Sequence, residues 1–197
     1  MNPLDVALQS TMPTIMVPRF EKLDELSVPG NRILIASNGI WLEVCRPWLY
    51  ARILVGDQMV TVPYGEVTEE LRLTFGKLPR ALVREFIELA RTRSPNECAA
   101  WGVWNAHTDT WRLQMLQETS VGHAHVAMDL PVLGDDEHMV LDLHSHGLLE
   151  AFFSPEDNDD DRGECKIAGV VGNLDQETVT TAFRFCANSM FTPLQAL

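Results

Sequence analysis

One segment of this chain has helical periodicity while nearly everything around it reads as strand, and that contrast limits the fold more than any other feature. In "RALVREFIELARTR", residues 80–93, the residues Leu82, Val83, Phe86, Ile87, Leu89 and Ala90 recur at helical spacing. Pro79 stands where a helix begins, and Ser94-Pro95 stops it. The pattern predicts a helix from about Pro79 to Arg93.

Before the helix, "TIMVPRFEKL", "NRILIASNGIWLEV" and "RPWLYARILVG" are β-branched and aromatic runs punctuated by "VPGN", "SNG" and "VGD". The "SNG" ahead of Ile40 is a hairpin signal. Residues 1–76 are therefore expected to form a small β-rich N-terminal module. After the helix, "ECAAWGVWN", "TWRLQMLQET", "HMVLDLHSH", "KIAGVVGNL" and "VTTAFRFCA" read as strands of a mostly antiparallel sheet. Only residues 147–164 leave room for another helix, whose acidic end would cap it. Residues 77–197 read as a second domain, and the fold class is α+β.

The formal charge of −13, from 28 acidic against 15 basic residues, argues against direct nucleic-acid contact, because phosphates are held mainly by Lys and Arg. The four cysteines, Cys45, Cys98, Cys165 and Cys186, form no CxxC pair, so neither a zinc finger nor a disulfide framework is expected. They read as reduced thiols of a cytoplasmic protein. "MNPLDVALQS" lacks the pattern of a secretory signal, and no apolar run approaches the roughly 18 residues of a membrane span. No membrane partner is expected.

The chemistry concentrates in "LDLHSHGLLEAFFSPEDNDDD", residues 141–161. Side chains two apart leave the same face of a strand, so His144 and His146 can aim both rings at one point. Two nitrogen ligands at about 2.0–2.1 Å, completed by a carboxylate, make an open zinc site with water in the fourth position. Asp157 lies far enough along for a loop or helical turn to return its carboxylate to that ion. Ser154 is one helical turn from Asp157, and its hydroxyl can donate to an oxyanion. Water still needs a base, and Glu97 in "SPNECAAWG", just after the helix, is the candidate.

A distant Glu97, then His144-Ser145-His146, seven residues, Ser154, two residues and Asp157 resembles the JAB/MPN (JAMM) metallopeptidases. The resemblance covers residues 77–197 and implies a JAB1/MPN-like, cytidine-deaminase-like mixed sheet flanked by helices. It implies one Zn²⁺ per chain with a bound water, held by His144, His146 and Asp157. Glu97 would be the general base and Ser154 an oxyanion donor in the hydrolysis of an amide or isopeptide bond. Gly147 departs from the pattern, since many members carry Pro after the second His. The chain lacks the insertions of eukaryotic deubiquitinases and looks like a compact prokaryotic member. With "NGIWLEVCRPWL" added, it resembles members from bacterial cassettes that also encode ThiF-like and ParB-like proteins. That implies a ubiquitin-like or sulfur-carrier-like protein substrate and a ThiF-like (E1-like) partner.

Plainer readings accompany these. A second pair, His123 and His125 in "GHAHVAMD", has Leu133 where Ser would be required and reads as exposed strand. Asp157, Asp159 and Asp161 imitate an EF-hand opening, but Arg162 and Ala168 replace the required Gly and Glu, so a solvated, helix-capping loop is expected. Trp101, Trp104 and Trp111 read as core or sheet-face packing. A non-catalytic binding or scaffold module on the same fold is the alternative to a hydrolase.

Overall fold

The structure is a computed structural model that describes residues 1–57, 60–121 and 126–195. His123 and His125 lie outside the described residues. The chain divides into two compact units, Met1–Lys77 and Leu78–Leu197. Both are mixtures of sheet with few helices, an α+β architecture. No described helix is long and apolar enough to cross a membrane.

The first unit opens with α1 (Pro3–Thr11), which the strand-like reading of this half did not foresee. Its signal is local: Asn2 caps the helix by accepting from the Leu4 N–H at 2.9 Å, and Pro3 occupies the first helical position. The helix buries no residue, so no apolar face advertised it. Five strands follow, β1 (Thr14–Met16), β2 (Gly30–Ala36), β3 (Gly39–Arg46), β4 (Leu49–Gly56) and β5 (Glu70–Leu73), in spatial order β1-β2-β3-β4-β5. Ala36 pairs with Gly39, so Ser37 and Asn38 form the two-residue hairpin turn that "SNG" predicts. Val17, Leu34, Ala36, Trp41 and Val67 form a core cluster. The fully buried Glu43 carboxylate accepts from the Arg32 guanidinium and the Tyr50 hydroxyl, which satisfies its charge.

The second unit begins with α2 (Arg80–Arg93), which buries Leu82, Val83, Phe86 and Ala90. Leu89 is exposed, so the apolar stripe is narrower than the sequence suggests. The strands are β6 (Ala99–Asn105), β7 (Thr110–Met115), β8 (Gln117–Val121), β9 (Val126–Asp129) and β10 (Glu137–Ser145), then, after α3 (Pro155–Asp160), β11 (Cys165–Gly172), β12 (Thr180–Ala187) and β13 (Met190–Leu194). Six of them form one sheet in the order β13-β12-β11-β10-β6-β7. Only the β10–β11 pair in this sheet is parallel.

"TWRLQMLQET" is split rather than continuous. Leu116 is buried and donates its N–H to Ala99 O at 2.9 Å, after which β8 leaves to pair with β9 in a separate two-stranded sheet. The sequence reading also missed β13. Its hairpin turn is Asn188-Ser189, both at positive φ (48° and 69°), a primed turn written without glycine. Pro193 is tolerated there because β13 is an edge strand.

Gly102 lies where Leu82 of α2 packs on β6. A Cβ there would stand 2.8 Å from Leu82 Cδ2 and 2.8 Å from Leu141 Cβ. Gly102→Ala is expected to overpack this contact and cost ~1–3 kcal/mol, seen as a lower denaturation midpoint in urea.

Candidate metal centre

Strand β10 sorts its side chains by face. A bulge lies between Met139 and Leu141. Beyond it Leu141, Leu143 and Ser145 are buried, while Asp142 and His144 are half-buried on the other face. The His146 N–H donates to Val171 O at 2.9 Å, which carries the parallel ladder one residue past the strand and brings His146 to the face of His144.

The chain then turns sharply. Gly147 has φ +56°, and a Cβ there would stand 2.6 Å from Pro95 O. Proline, fixed near φ −65°, cannot take this conformation, so the departure from the family pattern is what this turn requires. Leu174 N donates to Gly147 O at 3.0 Å and Asn173 N to Leu149 O at 2.7 Å, pinning the loop. Phe152 meets the His146 ring edge-on, with centroids 4.6 Å apart. This packing orients a ring whose Nδ1 is buried without a hydrogen-bond partner among the described residues.

Helix α3 closes the site. Ser154 is its N-cap and Pro155 its first residue. Ser154 Oγ accepts from the Asp157 N–H at 3.1 Å, and the Ser154 N–H donates to Asp157 Oδ2 at 2.6 Å, a reciprocal capping box. The box leaves Asp157 Oδ1 facing His144 Nε2 at 3.2 Å. The two Nε2 atoms are 3.2 Å apart, and His146 Nε2 is 4.0 Å from Asp157 Oδ2.

The two 3.2 Å separations are close to those of ligands around one small cation, and the third is wider. Two bonds of about 2.0–2.1 Å at the tetrahedral angle end about 3.3–3.4 Å apart. Among the described residues, this is the cluster of His, Cys, Asp or Glu whose donor atoms all lie within 4.8 Å of one another. Two imidazoles and a carboxylate are a donor set that fits zinc. Burial pushes the Asp157 carboxyl up, but bonds from His144 and the Ser154 N–H and the charge of His144 outweigh it and hold it well below the usual carboxylate range. Asp157 is thus an anion at neutral pH, as a ligand must be.

Glu97 stands apart from this cluster. It is exposed and has no hydrogen bond or ion pair with the described residues. The next residue, Cys98, is fixed by Ser145. The Ser145 N–H donates to Cys98 O at 2.9 Å, and Ser145 Oγ accepts from the Cys98 N–H at 3.0 Å. Ala99, the first residue of β6, pairs with His144, and Glu97 lies two residues ahead of that pair, outside the strand. Ser145, to which the sequence assigned no role, therefore ties the Glu97 segment to the histidine strand.

The acidic run is not uniformly solvated as expected. Asp159 is exposed and pairs with Arg162 at 2.7 Å, but Asp161 is buried and meets Lys166 Nζ at 2.8 Å and Arg184 Nη2 at 2.5 Å. No local pattern reveals these partners.

Residues 79–186 match the family described as prokaryotic homologs of the JAB domain. The chain belongs to this family. Residues 2–74 match a second family, a domain of unknown function named DUF2016. Comparison with curated proteins finds no match. Among solved structures, this JAB-domain homologue is similar to the solution structure of protein DSY2949 from Desulfitobacterium hafniense. The identity is 15% and the TM-score 0.44, covering 60% of this chain and 88% of that one.

Burial raises the Asp161 carboxyl, but its bonds to Lys166 and Arg184 outweigh that and leave it below its ordinary value. A depressed folded pKa contributes stability that is present above the unfolded value of about 3.9 and is lost as pH falls through the folded one. Asp161→Asn is accordingly expected to be ~3–5 kcal/mol less stable at pH 7, since it leaves two buried cations underpaired. Its stability should also fall less steeply than that of the unaltered protein below about pH 4, measured by denaturation across pH.

Proposed function

We propose that the unit Leu78–Leu197 is a JAMM-type zinc metallopeptidase or isopeptidase with the JAB1/MPN-like, cytidine-deaminase-like arrangement. The observation that carries the reading is the convergence of His144 Nε2, His146 Nε2 and the Asp157 carboxylate within ligand spacing. His144, His146 and Asp157 would hold one Zn²⁺. When bound, zinc supplies Lewis acidity, polarising a scissile carbonyl and acidifying water.

The chain's own residues supply the rest. Glu97, just ahead of the strand that pairs with His144, accepts the proton of the attacking water and returns it to the leaving amine. Ser154 uses its oxygen as acceptor in the helix cap, and its O–H is the donor an oxyanion requires. Gly147 and the pinned loop after it keep Phe152 against His146, which orients that ring.

The substrate we propose is the C-terminus of a ubiquitin-like or sulfur-carrier-like protein, in a cytoplasmic setting with a ThiF-like partner. Support comes from "LDLHSHGLLEAFFSPEDNDDDR" and "NGIWLEVCRPWL", which look like PRTRC system protein A. The unpartnered Glu97 is the observation that favours the second reading, a binding module of such a cassette that holds a partner without cleaving it.

Elemental analysis of the natively purified protein is expected to find about one zinc per chain, lost in His144→Ala/His146→Ala. Glu97→Gln is expected to keep the metal and lose ~10²–10⁴-fold in kcat/KM on a peptide substrate. Metal bound without hydrolysis of any ubiquitin-like fusion would count against the peptidase, and no metal even after zinc is supplied would exclude the hydrolase and leave the binding module.

A further inference from the structure

The helix that carries Asp157 cannot hold its own position. α3 has six residues and buries none of them, far short of what a helix needs to be stable alone. It is gripped instead by one side chain from β12. Arg184 Nε and Nη2 donate to Asp161 Oδ2 at 3.0 and 2.5 Å, Nη1 donates to Asn158 Oδ1 at 2.5 Å, and Nη2 also donates to Asp157 O at 3.1 Å. The guanidinium is stacked between Phe153 and Phe191, 3.9 and 4.1 Å from their centroids. Lys166 takes the other oxygen of Asp161 at 2.8 Å and ties it to Asp142 at 2.6 Å, two residues before His144 on the same face of β10.

We propose that Arg184 is a positioning residue of the metal centre: its hold on the Asp157 carbonyl, Asn158 and Asp161 sets the distance from the Asp157 carboxylate to the two imidazoles. The inference rests on the zinc reading of the site. It has a physical basis in tolerance, because ligand distances must fall within about 0.2 Å of their proper values, while a six-residue helix that buries no residue has no packing of its own to hold that tolerance. Only a planar fork of donors can reach three points on one helix while stacked between two rings. Lysine keeps the charge but loses the fork and the stacking.

The test uses the full chain and reads zinc affinity by competition with a chromophoric chelator, together with the visible absorption of the cobalt-loaded protein. Arg184→Lys is expected to weaken zinc binding about 10–100-fold and to alter the cobalt band. Phe86→Leu, a core substitution in α2, serves as a control matched for loss of thermal stability and should bind zinc as the unaltered protein does. Asn158→Ala removes one of the three holds from a partly exposed position, so it reports on the same grip should Arg184→Lys fail to fold. Its expected loss is about 3–10-fold. Unaltered affinity and cobalt spectrum in both grip variants, with binding abolished in Asp157→Ala, would overturn the proposal and leave the zinc site standing. An equal loss in Phe86→Leu would also overturn it, by showing a general effect of stability. If the unaltered protein binds no zinc, the site and the positioning role fall together.

Discussion

The parallel pairing of β10 with β11 is the constraint on which the site depends. Parallel neighbours cannot be joined by a tight turn, so the chain leaving Ser145 must travel back along the sheet before Cys165 can pair beside it. The returning segment contains α3, and it passes the end of β10 where His144 and His146 stand. An antiparallel hairpin at this point would leave no crossover to carry Asp157 back. The first turn of that crossover is set by Gly147, whose positive φ and contact with Pro95 admit no side chain.

Charge is then divided along the crossover in a way the composition hides. The chain carries −13 overall, and residues 156–161 are mostly acidic, yet they do not behave as one anionic face. Asp157 turns to the histidines, Asp161 turns inward to Lys166 and Arg184, and Asp159 stays in solvent with Arg162. The Lys166–Asp161–Arg184 cluster is buried, so its worth lies in geometry: breaking any member leaves an uncompensated charge, which makes the arrangement all-or-none. The same cluster reaches Asp142 on the histidine strand, so the two walls of the site share one network of charges.

Parts of this were readable in advance because they are local. The α2 stripe, the Pro79 start and the strand runs follow from side-chain periodicity, which is a property of neighbouring residues. The hairpin at Ser37-Asn38 follows from turn chemistry. α1 escaped because its capping signal accompanies no buried face, and β13 because its primed turn uses Asn-Ser rather than Asn-Gly. The division of "TWRLQMLQET" into two sheets depends on the burial of Leu116, which no run of residues announces.

The order of residues by itself determined which donors were on offer: two imidazoles on one strand face, a hydroxyl and a carboxylate one helical turn apart, and a glutamate at the start of a strand. Those are consequences of strand and helix periods acting over a few residues. Tertiary structure alone decided that the Asp157 carboxylate stands 3.2 Å from His144. It also decided that Ser145 clamps the Glu97 segment and that Arg184, more than 20 residues beyond α3, grips that helix. The physical reason is that these contacts join elements distant in sequence. Their geometry follows from how the sheet is ordered and how the crossover packs on it, and pairing of this kind leaves no periodic trace in the chain.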